Sequence, residues 1–483
     1  MGHGRVRKTA AGWLPYGLLL AGCAAGGFLP QTAAAAQWWL VLGLAAVAVC
    51  AACLLLTRRL TASRAVWLLI VAGCVLRIGY VLYTGYDERQ HDVWYLDSGK
   101  GHMGYIRYMA DHLSLPDTNR VWQFYHPPLH HAIAGLLLRG LTSLGVPLTG
   151  AAERLQLLTA FYSCAALVVC ARLLQALRIR PGGRCVAMAG LCFHPTFLLL
   201  AGSLNNDTLL VLFSCGTLLY LIRWWQDPSL KHSLLMAVCL GLSMMAKTSG
   251  VLLAPAIALA FLLKLYDCRE QPVRPLVGRM CAFGAVSIPL GMWYPVRNLI
   301  RFGQPLFYVP GIADTDQYVG DVPAVDRLFL IPLEQLSSPY QDWTNGYNIP
   351  LSALKTSLFG ERDLGGGVWA YLLLGAAAAL GIWALAALLV SLIRRPDRGD
   401  RTNWLLLVAG GVTAFSYVVF CFAYPHICSQ DFRYLTLLLP VGAAFLGRSF
   451  DRRKSKGARG ALVALTGLFC LSSAAVYVHL AWI

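Results

Sequence analysis

Charge is scarce in this sequence. Only 13% of its 483 residues are Asp, Glu, Lys or Arg, about half the roughly 25% usual in a soluble domain. Acids are the scarcer sign, 23 against 40 Lys and Arg. The fifteen cysteines form no metal-ligand or disulfide-framework spacing. Most of them, including Cys50, Cys53, Cys74, Cys164, Cys170, Cys192, Cys215 and Cys239, sit inside apolar runs as small packing residues. There is no convincing internal repeat and no low-complexity tract beyond Ala-rich helix. Gly2 lacks a myristoylation pattern. Arg5, Arg7 and Lys8 resemble a signal-peptide start, but no clear small-residue cleavage site follows, so a retained first helix is expected.

What is present is apolar length: 57% of the chain is hydrophobic. The runs are too long and too closely spaced for a soluble α/β enzyme, and too continuous for the short alternating strands of an outer-membrane barrel. Thirteen can cross a hydrocarbon core of about 30 Å: 10–29, 37–56, 64–84, 152–176, 183–203, 207–224, 232–246, 250–266, 277–297, 368–393, 403–423, 432–448 and 460–481. The fold expected is an all-α polytopic membrane protein of about thirteen transmembrane helices. A fourteenth candidate, 127–147, contains His130, His131 and Arg139 and reads as a juxtamembrane helix.

The net charge of +17 is sorted by side. Segments 1–9, 57–64, 172–184, 223–231, 264–279, 394–401 and 448–459 hold 26 Lys/Arg and 6 Asp/Glu, whereas the connections on the other side hold 13 and 17. Such a bias places the basic side in the cytoplasm, beside anionic lipid, and makes a nucleic-acid partner unnecessary. The N-terminus is then cytoplasmic. The sorting fails if 127–147 crosses.

Two long connections, 85–151 and 298–367, result on the external side. Loops of that length on a packed scaffold usually carry function. The chain divides into N-terminal spans (1–63), the third span with the first external loop (64–151), a transmembrane core (152–297), the second external loop (298–367) and C-terminal helices (368–483). Within the first loop, Met103, Ile106, Met109/Ala110 and Leu113 share one face of a short amphipathic helix suited to lying on the bilayer.

The unusual polar clusters fall at external helix ends. Tyr86-Asp87-Glu88-Arg89-Gln90-His91-Asp92 follows the third span, and Trp122-Gln123-Phe124-Tyr125-His126-Pro127-Pro128-Leu129-His130-His131 opens the juxtamembrane helix. Asn205-Asn206-Asp207, Lys247-Thr248-Ser249-Gly250, Trp293-Tyr294-Pro295-Val296-Arg297-Asn298 and Gln430-Asp431-Phe432-Arg433-Tyr434 mark four further ends. Each has a plain structural reading. Asp87 and Glu88 can be solvated loop, Asp207 a helix cap, the aromatics an interfacial belt, Arg297 and Arg433 snorkelling anchors. Lys247 between two short spans needs an anion. His126 and His130 have an i, i+4 spacing that can suit Zn²⁺, but no carboxylate or cysteine is clearly placed to complete a site. No metal is assigned.

Together these motifs resemble the GT-C integral-membrane glycosyltransferases, in particular bacterial protein O-mannosyltransferases and lipid A aminoarabinose transferases. Lys355-Thr356-Ser357-Leu358-Phe359-Gly360-Glu361 is similar to a second-loop motif of related proteins, and the resemblance covers roughly 64–450. It implies transfer of a sugar from a polyprenyl-phosphate donor to an acceptor outside the cytoplasmic membrane, with inversion, and a first-loop acid as base. Asp92 is favoured for that role, with Asp87 and Glu88 as alternatives.

The chemistry fits. A lipid phosphate leaves as an anion, so one base for the acceptor suffices, and the phosphate needs preorganised cations. Arg297, Arg433 and Lys247 are candidates, with Lys355 a fourth. Trp94, Trp122, Phe124 and Tyr125 suit sugar stacking or the lipid entrance. His91, His126, Asn206, Asp207, Asn298 and Tyr434 complete the expected binding set. No cofactor is required on this reading. The expected partners are the donor, an acceptor lipid, protein or cell-wall polymer, and membrane lipid, with the chain a monomer. The rivals are a secondary transporter, whose ionisable groups should lie near the bilayer midplane, and a lipid-carrier-binding protein without chemistry. Arg77 is the one clear charge deep in a span.

Overall fold

The computed structural model describes residues 3–89, 91–270, 272–311, 315–393 and 401–482, with side chains from residue 14 onward. Gln90, most of the basic connection 394–401 and the side chains of Arg5, Arg7 and Lys8 lie outside the described residues. Three N-terminal helices, α1 (His3–Gly26), α2 (Ala33–Leu56) and α3 (Ala62–Tyr83), lead to the first long connection with α4 (Gly101–His112) and α5 (Leu129–Ser143). The central group is α6 (Leu148–Ala176), α7 (Pro181–Cys192), α8 (Pro195–Gly202), α9 (Asp207–Gln226), α10 (Leu230–Ala246), α11 (Ala254–Asp267) and α12 (Arg274–Phe302). The second connection carries α13 (Ala324–Leu328) and α14 (Ile349–Phe359). The chain then forms α15 (Val368–Ile393), α16 (Thr402–Ala423), α17 (Leu438–Arg452) and α18 (Lys456–His479). Among the described residues the sole sheet-type pairing is an isolated bridge, Tyr318 to His426.

The all-α expectation holds, but the count of thirteen full spans does not follow from helix length. Among the described residues nine helices are long and apolar enough to cross a membrane. The stretch expected at 183–203 is a pair, α7 and α8, bent by 46°. Pro195 causes the break: it has no N–H to continue a helix, so it starts a new one at the first turn, capped by His194. The stretch at 232–246 is α10, an apolar helix of 17 residues, and that at 10–29 lies in α1, whose side chains are described from Leu14 onward. The stretch at 432–448 shifts: 432–435 is a 3₁₀ turn headed by Asp431, and α17 begins only at Leu438.

Lipid gives helices no hydrophobic drive toward one another, so close packing and interhelical hydrogen bonds hold such bundles. Arg77 supplies both. Fully buried, it donates from Nε to Ser163 Oγ at 2.9 Å and from Nη1 to the carbonyls of Gly73 and Cys192 at 2.8 Å each, tying α3 to α6 and α7. Ser163 Oγ then donates to the Phe197 carbonyl at 2.8 Å.

The helix at 101–112 departs from its expected place on the bilayer surface. Its apolar face is covered by protein: Met103, Ile106 and Ala110 form a core with Ala134 and Leu138 of α5 and Leu155 of α6. Of the face read from the sequence, Leu113 alone is largely exposed, at 56%. α5 spans fifteen residues, too few to cross.

Three connections meet at one end of the bundle. The segment 424–436 joins α16 to α17. The second connection is stitched to it by Val319 N–H to the Pro425 carbonyl (2.8 Å) and Ile427 N–H to the Gln317 carbonyl (2.9 Å). From below, Thr356 Oγ1 of α14 accepts the Phe432 N–H at 2.9 Å.

Candidate active site

A left-handed turn places the first acid. Asp92 has φ 59°, a conformation that Asp tolerates better than most residues. The turn is clamped to the start of α4, where the Asp92 and Val93 carbonyls accept the His102 and Met103 N–H groups at 2.8 and 3.0 Å. Gly101 is required at that clamp. It has φ +68°, and a Cβ there would stand 2.5 Å from both the Asp92 and the Val93 carbonyl oxygen. The Asp92 carboxylate meets Arg433 Nη2 at 3.0 Å, the acid open (47% exposed) and the Arg buried (10%). Burial opposes the charge on Asp92. Arg433 first, then His102 and His91, overcome it and hold the carboxyl at about 2. Arg433 also donates to Tyr434 OH at 3.0 Å.

The second acid–cation pair comes from antiparallel neighbours. α9 begins at Asp207 and α10 ends at Ala246, so Asp207 and Lys247 lie at the same end. Lys247 Nζ donates to Asp207 Oδ1 at 2.5 Å and sits 5.0 Å from the centre of the Tyr434 ring. Asn206 Nδ2 fixes the two helices by donating to the Ala246 carbonyl at 2.7 Å. The chain then turns back at Gly250, where a Cβ would come within 2.7 Å of the α10 backbone.

Imidazoles form a third wall. His102 stacks on His126 (5.2 Å, 20°) and on His131 (5.2 Å, 8°), and its Nδ1 pairs with His131 Nε2 at 2.9 Å. Burial pushes His102 down to about 3 despite Asp92 and Asp207, and burial with the neighbouring His102, Lys247 and Arg433 keeps His126 well below its usual range. Both rings are neutral at pH 7. They offer directed hydrogen bonds rather than charge.

These walls enclose one cavity of about 520 Å³. Its polar part carries Asp92, His102, His126, Asp207, Lys247 and Arg433. It continues between α9, the 3₁₀ turn Thr248–Leu253 that precedes α11, and α16, along Leu210, Val211, Leu252, Leu253 and Phe420. Phe307, Val309 and Pro310 bring the second connection to its lining. An anionic head and an apolar tail can therefore share the space.

The sequence profile of a family described as dolichyl-phosphate-mannose-protein mannosyltransferase matches residues 126–293. Among solved structures, apo ArnT from Cupriavidus metallidurans superposes with a TM-score of 0.50 at 14% identity, over 83% of this chain and 62% of that one. The chain has the GT-C fold. It spans about three fifths of that ArnT. Weaker likenesses extend to the arabinofuranosyltransferase AftD from Mycobacteria (TM-score 0.46, 17% identity, 83% of this chain and 28% of that one) and to ArnT from C. metallidurans bound to undecaprenyl phosphate (0.37, 14%, 79% and 77%). No curated protein matches at the sequence level.

The cavity of this GT-C chain gathers Asp92, Trp122, Tyr125, His126, Asp207, Lys247, Arg433 and Tyr434 from the expected set. The others lie outside its lining. Asp87 is half-buried, and Glu88 is solvated beside Arg89, its side chain 60% exposed. Trp94, also at positive φ, is turned outward at 51% exposure, with Lys100 over its ring. Arg297 donates to Asn298 Oδ1 (2.9 Å) and the Pro116 carbonyl (3.1 Å), so Arg297 and Asn298 brace the first connection. Lys355 is buried with Nζ on the carbonyls of Gln335 (2.5 Å) and Tyr340 (2.9 Å). Asn206 is spent on Ala246. The His126–His130 spacing is not helical, because α5 starts at Leu129; His130 Nε2 instead faces the Leu204 carbonyl at 3.3 Å.

His91 points behind the cavity wall, 3.2 Å from Glu361 and 3.6 Å from Asp431. Burial disfavours a proton there, but those two carboxylates outweigh it and lift the imidazole to about 9. His102, Glu361 and Asp431 escaped the sequence reading as site residues. Glu361 closes the Lys355–Glu361 motif and Asp431 stands two residues before Arg433, so both signals were present in the motifs. His102 was hidden at the start of an amphipathic pattern.

Proposed function

We propose that the protein is a membrane glycosyltransferase that moves a sugar from a polyprenyl-phosphate donor to an acceptor at the external membrane face, with inversion and with Asp92 as base. The observation that carries this reading is a single cavity in which two acid–cation pairs stand at the head of an apolar passage. Arg433 and Lys247 suit the donor phosphate, and the passage along α9, the turn Thr248–Leu253 and α16 suits the start of the lipid tail. Undecaprenyl phosphate, which the C. metallidurans ArnT binds, has this chemistry.

In the proposed reaction the donor phosphate takes the Arg433 guanidinium from Asp92. A carboxylate held by Arg is a weak base; released from it, Asp92 accepts the proton of the acceptor hydroxyl or amine. The acceptor attacks the anomeric carbon from the side opposite the phosphate. The carbon–oxygen bond to phosphate breaks with its electron pair leaving on the lipid phosphate, and the configuration inverts. General-base assistance of this kind contributes roughly 10²–10⁴-fold. Neutral His102 and His126, with Trp122 and Tyr125, are placed to orient sugar hydroxyls or acceptor. No cofactor enters the scheme. Arg77, the deep charge that would suit a transporter, is instead bound to backbone carbonyls.

The test is conversion of a polyprenyl-phosphate sugar to free polyprenyl phosphate by the protein in lipid nanodiscs. Asp92→Asn is expected to lower turnover at least ~100-fold while donor still binds. Near-normal turnover by that variant removes Asp92 from the base role. Solute flux into vesicles without any donor cleavage overturns the transferase reading.

A further inference from the structure

Three ligand-type side chains from three separate connections meet at the cavity wall, Glu361 lining the cavity and His91 and Asp431 behind it, with donor atoms that all lie within 4.8 Å of one another. His91 is 7% exposed and Asp431 2%. His91 Nδ1 and Asp431 Oδ2 are buried and have no partner outside this cluster, so each depends on its cluster neighbours for compensation. The other Asp431 oxygen is committed, because Oδ1 accepts the Arg433 N–H at 2.7 Å. That bond aims Oδ2 into the cluster, as outer hydrogen bonds do for metal-binding carboxylates.

The spacing suits a small ion. Ligand atoms about 2.0–2.1 Å from a tetrahedral Zn²⁺ stand roughly 3.3 Å apart. The contacts from His91 Nδ1, at 3.2 and 3.6 Å, bracket that value. One imidazole and two carboxylates form a donor set for Zn²⁺ or a neighbouring first-row ion rather than for Ca²⁺ or Mg²⁺, which prefer oxygen alone. A void of about 10 Å³ bordered by His91, Phe359, Gly360 and Glu361 adjoins the cluster, close to the space that one water, as fourth ligand, occupies.

We propose that His91, Glu361 and Asp431 bind one divalent transition-metal ion of the Zn²⁺ type, which clips the two connections and the α16–α17 segment together beneath the active site. The ion is a positioning element and touches no reacting atom. His91 immediately precedes Asp92, and Asp431 stands two residues before Arg433, so the clip sets the distance between the proposed base and its guanidinium partner. The binding itself does not depend on the transferase reading; only the consequence for turnover rests on it. A proton on His91 is the competing occupant of the same gap.

The test uses full-length protein with a non-histidine tag, in nanodiscs, loaded with Zn²⁺ and washed free of excess. Elemental analysis is expected to find about one zinc per chain in the wild type and in Asp92→Asn. A tenfold or greater loss is expected in His91→Ala and Asp431→Asn. Should those variants fold poorly, wild type stripped with chelator and titrated with Zn²⁺ supplies the answer: the melting temperature rises by several degrees, saturating at one equivalent. Full zinc retention by folded His91→Ala overturns the site. So does wild type that holds under a tenth of an equivalent and melts unchanged with Zn²⁺, which is the outcome for a protonated His91. Metal content is read without donor, so a failed transfer assay leaves it independent.

Discussion

Four cations, Lys247, Arg297, Lys355 and Arg433, look alike in the sequence, each beside aromatic or polar residues, yet the fold uses them in two ways. Lys247 and Arg433 face the cavity and hold carboxylates, Asp207 at 2.5 Å and Asp92 at 3.0 Å. Arg297 and Lys355 face backbone: Arg297 takes the Pro116 carbonyl, and Lys355 takes those of Gln335 and Tyr340. A cation paired with a side-chain carboxylate can exchange that partner for a substrate anion. A cation buried on carbonyls completes a loop whose polar groups have no water to turn to. The first pair is therefore equipped for ligand exchange and the second for architecture.

The largest break in this contrast should come from Arg433→Ala, which is expected to cost ~10²–10³-fold in donor turnover, the usual loss when a preorganised charge stabiliser is removed. Arg297→Ala, measured in the same nanodisc assay, should stay within a few-fold. Comparable losses in both would erase the distinction.

Lys247→Ala sharpens it differently, because it strands buried Asp207. Breaking a buried pair from one side costs about 3–5 kcal/mol. Lys247→Ala with Asp207→Ala should regain most of the melting temperature but not the turnover. If turnover returns with stability, Lys247 serves the fold alone.

Gly101→Ala tests the turn that presents Asp92. Its Cβ would collide with two carbonyl oxygens, so turnover should drop ~10-fold or more, while overpacking of this kind costs about 1–3 kcal/mol of stability. The smallest functional effect belongs to Lys355→Met. It orphans two carbonyls and should cost about 1–3 kcal/mol, read as a lower melting temperature with turnover per folded chain nearly intact.

The apolar runs made the helical class legible, and the chain order of polar clusters located the helix ends from which Asp207, Lys247 and Arg433 reach the cavity. Direction within a loop was not legible. His91 and Asp92 are consecutive, but the left-handed turn sends one behind the wall and the other into the cavity. The same applies to Trp94. Helix phase hid the place of Arg297, because α12 continues to Phe302 and its last turns face the Pro116 segment rather than the cavity. Span length misled at 432–448, where an aspartate cap and a 3₁₀ turn replace the first helical turn. An amphipathic stripe in the first loop could not declare whether lipid or protein covers it; α5 does.

On the proposed function, the two acid–cation pairs would have one more consequence. A lipid phosphate arriving at this cavity meets charges that already cancel, so what it gains is the difference between its own bonds and those of the carboxylates it displaces. The displaced acids stay tethered beside the cations at very high local concentration. Once the sugar has gone, they compete with the spent lipid for the same sites, and product departure is assisted from within the chain.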